Sequence, residues 1–359
     1  MADENTARDR SEEVDPIDAL INEEKYEIDT AAKKAEKEII PEELSGISQH
    51  LKETTSKIDA ALRLPFSKNV ETPEGMFIKS GNEEGKVSVV GEKTNIAAFT
   101  HTGVNKKRND DGFLVHGESN TLAVTDGVGG NKHGEVASNV ILHKMAQKLK
   151  DQDVPLKDIP NLVFKAVRDY QKSNGEEYEK CSATFAAVHI TPEGMAQMVH
   201  VGDARIYRIR NGEAKQLTTD DSLTELVKAQ KDMTDVEAKD YINDNYPNPR
   251  PDALVQSIGG REQVVNFKNK KGDIETAKDI VNPHFYEEQT QEGDVYVVST
   301  DGFSGNMDAE DTEKYITKGL KAGKALNVVL EEMREEAIAK MIDGVGDKDN
   351  LTAGVIEIK

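Results

Sequence analysis

The sequence predicts an α+β fold, with packed antiparallel sheets covered by helices. Two observations carry this. Short strand-like runs follow one another across tight turns, as in Ala183–Ile190, Met195–Val201 and 205–209, where Thr191-Pro-Glu-Gly makes the first pair a hairpin. The helical periodicities stand in blocks of their own before and after those strands, and no repeat of 20–50 residues suggests a solenoid.

Taken in order, the elements begin with an apolar run at 96–99 and another at 122–125, the second ending in Asp126-Gly127. Residues 134–150 place Ala137, Ile141, Met145 and Leu149 on one helical face, and a second helix is expected over 156–172. After the three strands, 220–243 reads as helical. Residues 245–251, rich in Pro and Asn, read as an irregular loop. Val295–Ser299 is apolar on both faces, as a buried central strand is. Helices over 308–322 and 325–342 and a closing strand over 352–358 complete the pattern. With no tryptophan and 5% aromatic residues, the core is expected to be aliphatic.

Residues 1–95 have a different texture. They hold 22 acidic and 13 basic residues, a net −9 of the chain's −21. Their sparse apolar residues fall at helical spacing: Ile17, Leu20, Ile21, Ile28 and Ala32, then Ile47, Leu51, Ile58 and Leu62. The division expected is an acidic extension over 1–94, helical or partly disordered, followed by a domain over 95–359. The extension is expected to regulate, by docking on that domain or on a partner.

Composition excludes several function classes. Across 359 residues, 67 Asp and Glu face 46 Lys and Arg. Such an excess of negative charge disfavours nucleic acid, whose phosphates need a cationic surface, and equally an anionic membrane surface. No run of about 18 apolar residues marks a membrane span, and with the first twenty residues polar no secretory leader is expected. A single cysteine, Cys181, allows no intrachain disulfide and reads as a buried small hydrophobe. A soluble cytoplasmic protein is expected.

The chemistry is expected where acids follow apolar strands. Asn109-Asp110-Asp111-Gly112, Asp126-Gly127, Asp301-Gly302 and Asp349-Asn350 are four such places. Each alone reads as a turn. Together, convergent carboxylates would repel unless cations neutralise them, and oxygen-only ligation favours a hard ion such as Mg²⁺ or Mn²⁺. The glycine-rich 127–134 stretch fits neither phosphate-cradling pattern, because Gly134 is followed by Glu135 and Lys132 stands where a third glycine belongs. The histidines show no zinc spacing, and there is no Gly-x-Ser-x-Gly elbow.

Seven short motifs occur in one order. They are 103–111 (Gly-Val-Asn-Lys-Lys-Arg-Asn-Asp-Asp), 124–130 with Gly134-Glu-Val-Ala-Ser138, Ser182-Ala-Thr184, Val201-Gly-Asp-Ala-Arg205, Leu217-Thr-Thr-Asp-Asp-Ser-Leu223, Gly293-Asp-Val through Ser299-Thr-Asp-Gly302, and Asp349-Asn-Leu-Thr352. Over about 95–359 this set resembles the metal-dependent type-2C protein Ser/Thr phosphatases of the bacterial kind. The resemblance implies a β-sandwich of two antiparallel sheets flanked by helices, with two metal ions at one end. It implies that Asp126 bridges both ions, with Asp301 and Asp349 completing the first. The Gly127 carbonyl and Asp110 would serve the second ion, Asp111 would support the set, and Asp203 would help hold a third, weaker ion. A water between two Mg²⁺ or Mn²⁺ ions would then attack phosphoserine or phosphothreonine on protein targets of a Ser/Thr kinase. Asp126 would be central to catalysis, and Lys106 and Arg108 would bind the substrate phosphate.

Some positions depart from that pattern. Lys106 stands where the family has a phosphate-binding arginine, which keeps the charge and loses the bidentate fork. Arg108, if it continues the same strand, would point the same way and compensate. Asp110 replaces a longer glutamate, Val128 a histidine of some eukaryotic members and Asp221 the usual histidine. Gly305 stands where some members carry another acid, and 268–279 reads as an insertion. Two other readings therefore stand beside the enzyme: a pseudophosphatase acting as a binding or regulatory module, and a phosphatase for small phosphate esters.

Overall fold

Central strands, apolar on both faces, organise the molecule. The computed structural model describes residues 75–80, 84–104, 106–128, 133–151, 155–246, 249–260, 265–268, 274–277 and 282–359. The amphipathic stretches expected over 17–62 lie outside the described residues, as do 129–132 of the glycine-rich loop and most of the 268–279 stretch.

One six-stranded sheet has the order β1 (Met76–Lys79), β4 (Gly112–His116), β5 (Thr121–Gly127), β6 (Ala183–Ile190), β7 (Met195–Val201), β12 (His284–Gln289). The other runs β2 (Gly85–Val90), β3 (Thr94–His101), β14 (Leu351–Ile358), β13 (Val295–Ser299), β8 (Arg205–Arg210), β9 (Glu213–Gln216). Every neighbouring pair is antiparallel. A separate antiparallel pair joins β10 (Val265–Lys268) to β11 (Ile274–Ala277).

The sheets face each other across Ile96, Phe113, Leu122, Val124, Val188, Ile206, Val298 and Ile356, all buried. Stacked faces of this kind give each inner strand two apolar sides. The outer face of the first sheet packs against α1 (Gly134–Asp151) and α2 (Ile159–Asn174) through Ile141, Leu142, Met145, Val163 and Val167. The outer face of the second packs against α6 (Ala309–Lys321) and α7 (Leu326–Ile342) through Ile316, Val329, Met333 and Ala337. Four layers result, helix–sheet–sheet–helix, as the resemblance implied. Cys181 is fully buried.

Three features differ from the expected pattern. The sheets take in residues ahead of 95, since β1 and β2 lie at 76–79 and 85–90. The helical stretch 220–243 is two helices, α3 (Leu223–Lys231) and α4 (Asp235–Asn245). Asp232 adopts a left-handed φ of 53° between them, and Thr234 opens α4 with a full capping box to Glu237. Asp301 opens a one-turn helix, α5 (Asp301–Ser304), directly after β13. Among the described residues no helix is long and apolar enough to cross a membrane.

Candidate metal centre

Asp126 reaches the site from β5, where it lies opposite Thr184 of β6. Asp203 sits in the turn joining β7 to β8, which is where the chain passes from one sheet to the other. Asp301 comes from the first turn of α5, at the end of β13. One carboxylate oxygen from each of these three lies within 4.8 Å of the other two. Asp111 is fully buried close by, and Thr300 Oγ1 donates to its Oδ2 at 2.8 Å.

The electrostatics follow from crowding acids. Burial, then the Asp301, Asp111 and Asp203 carboxylates, push Asp126 well above the usual carboxylate range. Burial, then Asp301 and Asp220, raise Asp203 in the same way. Burial raises Asp301 too, against the hydrogen bond it shares with Asp126. Asp111 is pushed up to about 8, mainly by burial, with Asp301 and Asp349 adding to it. Asp203 Oδ1 is buried with no hydrogen-bond partner. Repelling acids and an orphaned oxygen are what a cation would relieve, and the donors are all hard oxygens. The residues present therefore fit a divalent ion such as Mg²⁺ or Mn²⁺.

Other expected site residues flank this trio. Asp349 lies just before β14 and is held by Lys106 Nζ at 2.6 Å. Arg108 holds Asp110 through Nε at 2.6 Å and Nη2 at 3.2 Å, and reaches Glu135 at 3.4 Å. The Asp349 hydrogen bond, against partial burial, raises Lys106, and the Asp110 hydrogen bond raises Arg108. Lys106 and Arg108 lie on the loop between β3 and β4, so the condition that Arg108 continue a strand with Lys106 is not met. Gly103, at φ 83°, turns the chain out of the sheet there. Gly127 lets the end of β5 approach the start of α1: a Cβ on it would run into the Gly134 backbone. Its N–H donates to the Asp110 carbonyl at 3.1 Å.

A sequence profile of the protein phosphatase 2C family matches residues 100–341. The chain belongs to the protein phosphatase 2C family. Among its relatives in that family, PstP of Mycobacterium tuberculosis, a serine/threonine protein phosphatase, is 24% identical over 280 residues, covering 72% of this chain and 48% of PstP. The chain thus spans about half the length of that relative. The protein phosphatase PhpP of Streptococcus pneumoniae is 24% identical over 276 residues, covering 73% of this chain and 97% of PhpP.

Solved protein phosphatase 2C relatives share the fold. A crystal structure of M. tuberculosis PstP superposes with a TM-score of 0.57 at 22% identity, over 74% of this chain and 99% of that one. Staphylococcus aureus Stp1 gives 0.57 at 18% identity, over 75% and 97%. One neighbour, the PstP catalytic domain (TM-score 0.53, 22% identity), was solved with two manganese ions.

Within this protein phosphatase 2C fold, three positioning groups escaped the sequence reading. Asn350 accepts from the Asp110 N–H at 2.8 Å and donates to the carbonyls of Thr102 at 2.7 Å and Arg108 at 2.9 Å. It thereby fixes the loop that carries Lys106, Arg108 and Asp110. Thr300 orients Asp111. Asp347 adds to the upward pressure on Asp301, and its side chain occupies the space beside Gly305. An Asn directly after a site acid was the available signal for the first; nothing in the spacing pointed to the other two.

Proposed function

We propose that the chain is a Mg²⁺- or Mn²⁺-dependent phosphatase that removes phosphate from phosphoserine and phosphothreonine on proteins. The observation that carries this is the meeting of Asp126, Asp203 and Asp301 at one end of the two sheets. Family membership supports it, as do the relatives named as Ser/Thr phosphatases and the manganese in the PstP neighbour.

In this reading Asp126 would serve two ions, with Asp301 and Asp349 on the first. The Gly127 carbonyl and Asp110 would serve the second, Asp203 would help to hold a third, and Asp111 would support them. Ions held there supply an acidified water and charge neutralisation for in-line attack on phosphorus. Lys106 and Arg108 pair with two of the acids, Asp349 and Asp110, and they bind and orient the substrate phosphate. As a single ammonium, Lys106 grips that phosphate less directionally than an arginine does.

We also propose that the segment ahead of the first strand, part of the acidic extension assigned to 1–94, regulates or recruits, and that the protein works in the cytoplasm. Its substrates would be targets of a Ser/Thr kinase.

The test is phosphate release from a phosphothreonine peptide with Mn²⁺, with EDTA, and in Asp126→Asn. Turnover is expected with Mn²⁺ in the wild type alone. No metal-dependent turnover in the wild type leaves a binding module as the better reading. A preference for sugar phosphates over phosphopeptides moves the substrate class to small esters.

A further inference from the structure

A second cluster stands apart from the acid trio. His200 of β7 lies directly opposite His284 of the edge strand β12, and their rings stack at 4.6 Å with 17° between planes. Asp221 joins them: its Oδ1 is 2.8 Å from His284 Nε2. One ligand atom from each of the three lies within 4.8 Å of the other two.

The hydrogen bonds fix which atoms are available. His200 Nε2 is 2.9 Å from the Thr219 carbonyl, which can only accept, so Nε2 carries the proton and Nδ1 the lone pair. That Nδ1 is buried without a partner, on a side chain that is 0% exposed. A buried lone pair with no donor is costly unless something takes it up. Burial holds His200 below the usual histidine range, so it is neutral, the form that ligates. A ligating histidine ordinarily donates its other N–H to a carbonyl or carboxylate, and Thr219 supplies that here. The Oδ2 of Asp221 is likewise held, by the Gly202 N–H at 2.8 Å and Gln256 Nε2 at 2.6 Å.

We propose that His200, Asp221 and His284 form a binding site for a borderline transition-metal ion such as Zn²⁺, separate from the oxygen-only cluster. Two imidazoles and a carboxylate are a donor set that suits Zn²⁺ and disfavours Mg²⁺. Near-parallel rings do not aim their lone pairs at one point. His284, half-buried on an edge strand, therefore turns about its Cβ–Cγ bond, exchanges its Asp221 hydrogen bond for the ion and leaves a route in from solvent. The site also touches the phosphate chemistry indirectly, because Asp221 holds the N–H of Gly202, the residue before Asp203. Binding itself does not rest on the phosphatase reading.

The experiment titrates the full chain, stripped with chelator and returned to excess Mg²⁺, with Zn²⁺ against a chromophoric zinc indicator. One Zn²⁺ per chain is expected in the wild type and in Asp126→Asn. His284→Ala and His284→Gln are each expected to weaken it at least about tenfold. The glutamine keeps a donor facing Asp221, and circular dichroism shows whether each variant is folded. The proposal is overturned if the wild type retains no Zn²⁺, if Asp126→Asn abolishes binding, or if folded His284 variants bind as tightly as the wild type.

Discussion

Lys106 carries its charge on one ammonium, 2.6 Å from Asp349, where a guanidinium could hold two phosphate oxygens at once. Lys106→Arg is therefore expected to lower KM for a phosphopeptide with little change in kcat, and Lys106→Ala to raise it; steady-state kinetics decide. Asn350 is buried and makes three hydrogen bonds to the loop before β4. Asn350→Ala leaves a backbone N–H and two carbonyls without that partner and is expected to cost about 1–3 kcal/mol in urea unfolding. Asp111 sets a dependence on pH. Its folded value, about 8, lies above its ordinary 3.8, so the folded chain keeps a proton that the unfolded chain loses. Its stabilising share is whole below about pH 3.8 and is lost as pH rises through about 8. Chelator-treated protein should accordingly melt lower at about pH 8 than at about pH 5, and Asp111→Asn should flatten that slope.

Among the elements, the meeting of β5 with α1 is one tight constraint on the site. Gly127→Ala would drive a methyl into the Gly134 backbone and is expected to cost about 1–3 kcal/mol, with weaker Mn²⁺ binding by calorimetry. Thr234→Ala removes only the cap of α4, far along the chain from the acids; it should cost about 1 kcal/mol and leave turnover alone. The helices expected over 134–150, 308–322 and 325–342 were legible from their apolar period, and the inner strands from their apolar runs. Val295–Ser299, Ala183–Ile190 and Met195–Val201 were found at their observed bounds. The strands β1, β2, β9 and β12 were missed because they are sheet edges and partly solvated, as Glu213–Gln216 shows with alternating half-buried and exposed positions. The break between α3 and α4 escaped because an aspartate in left-handed backbone leaves the apolar period almost unchanged.

For the molecule as a whole, the motif order made the family and the sandwich legible. Apolar spacing alone did not show which acids meet, because strand-end residues far apart in sequence converge only once both sheets are stacked. Asp203 was expected to help hold a third, weaker ion, and its carboxylate stands within 4.8 Å of those of Asp126 and Asp301. Asp349 and Asp110 each pair with a cation here, Lys106 and Arg108. The net charge of −21 is partly local, since the trio and Asp111 crowd one end of the sandwich. If the acidic N-terminal stretch regulates, deleting residues 1–70 changes turnover or partner binding; a truncated chain equal to the full one in both leaves the stretch passive.

The trio also divides between the sheets: Asp126 from the first, Asp301 from the end of the second, and Asp203 from the turn that passes between them. An ion gripped there works as a rivet through both plates of the sandwich. Shearing one sheet past the other, or letting the second peel away with its helices, would first require pulling that rivet. Amide hydrogen exchange in β5 and β13 should then slow together on adding Mn²⁺, while the far ends of the same strands change less.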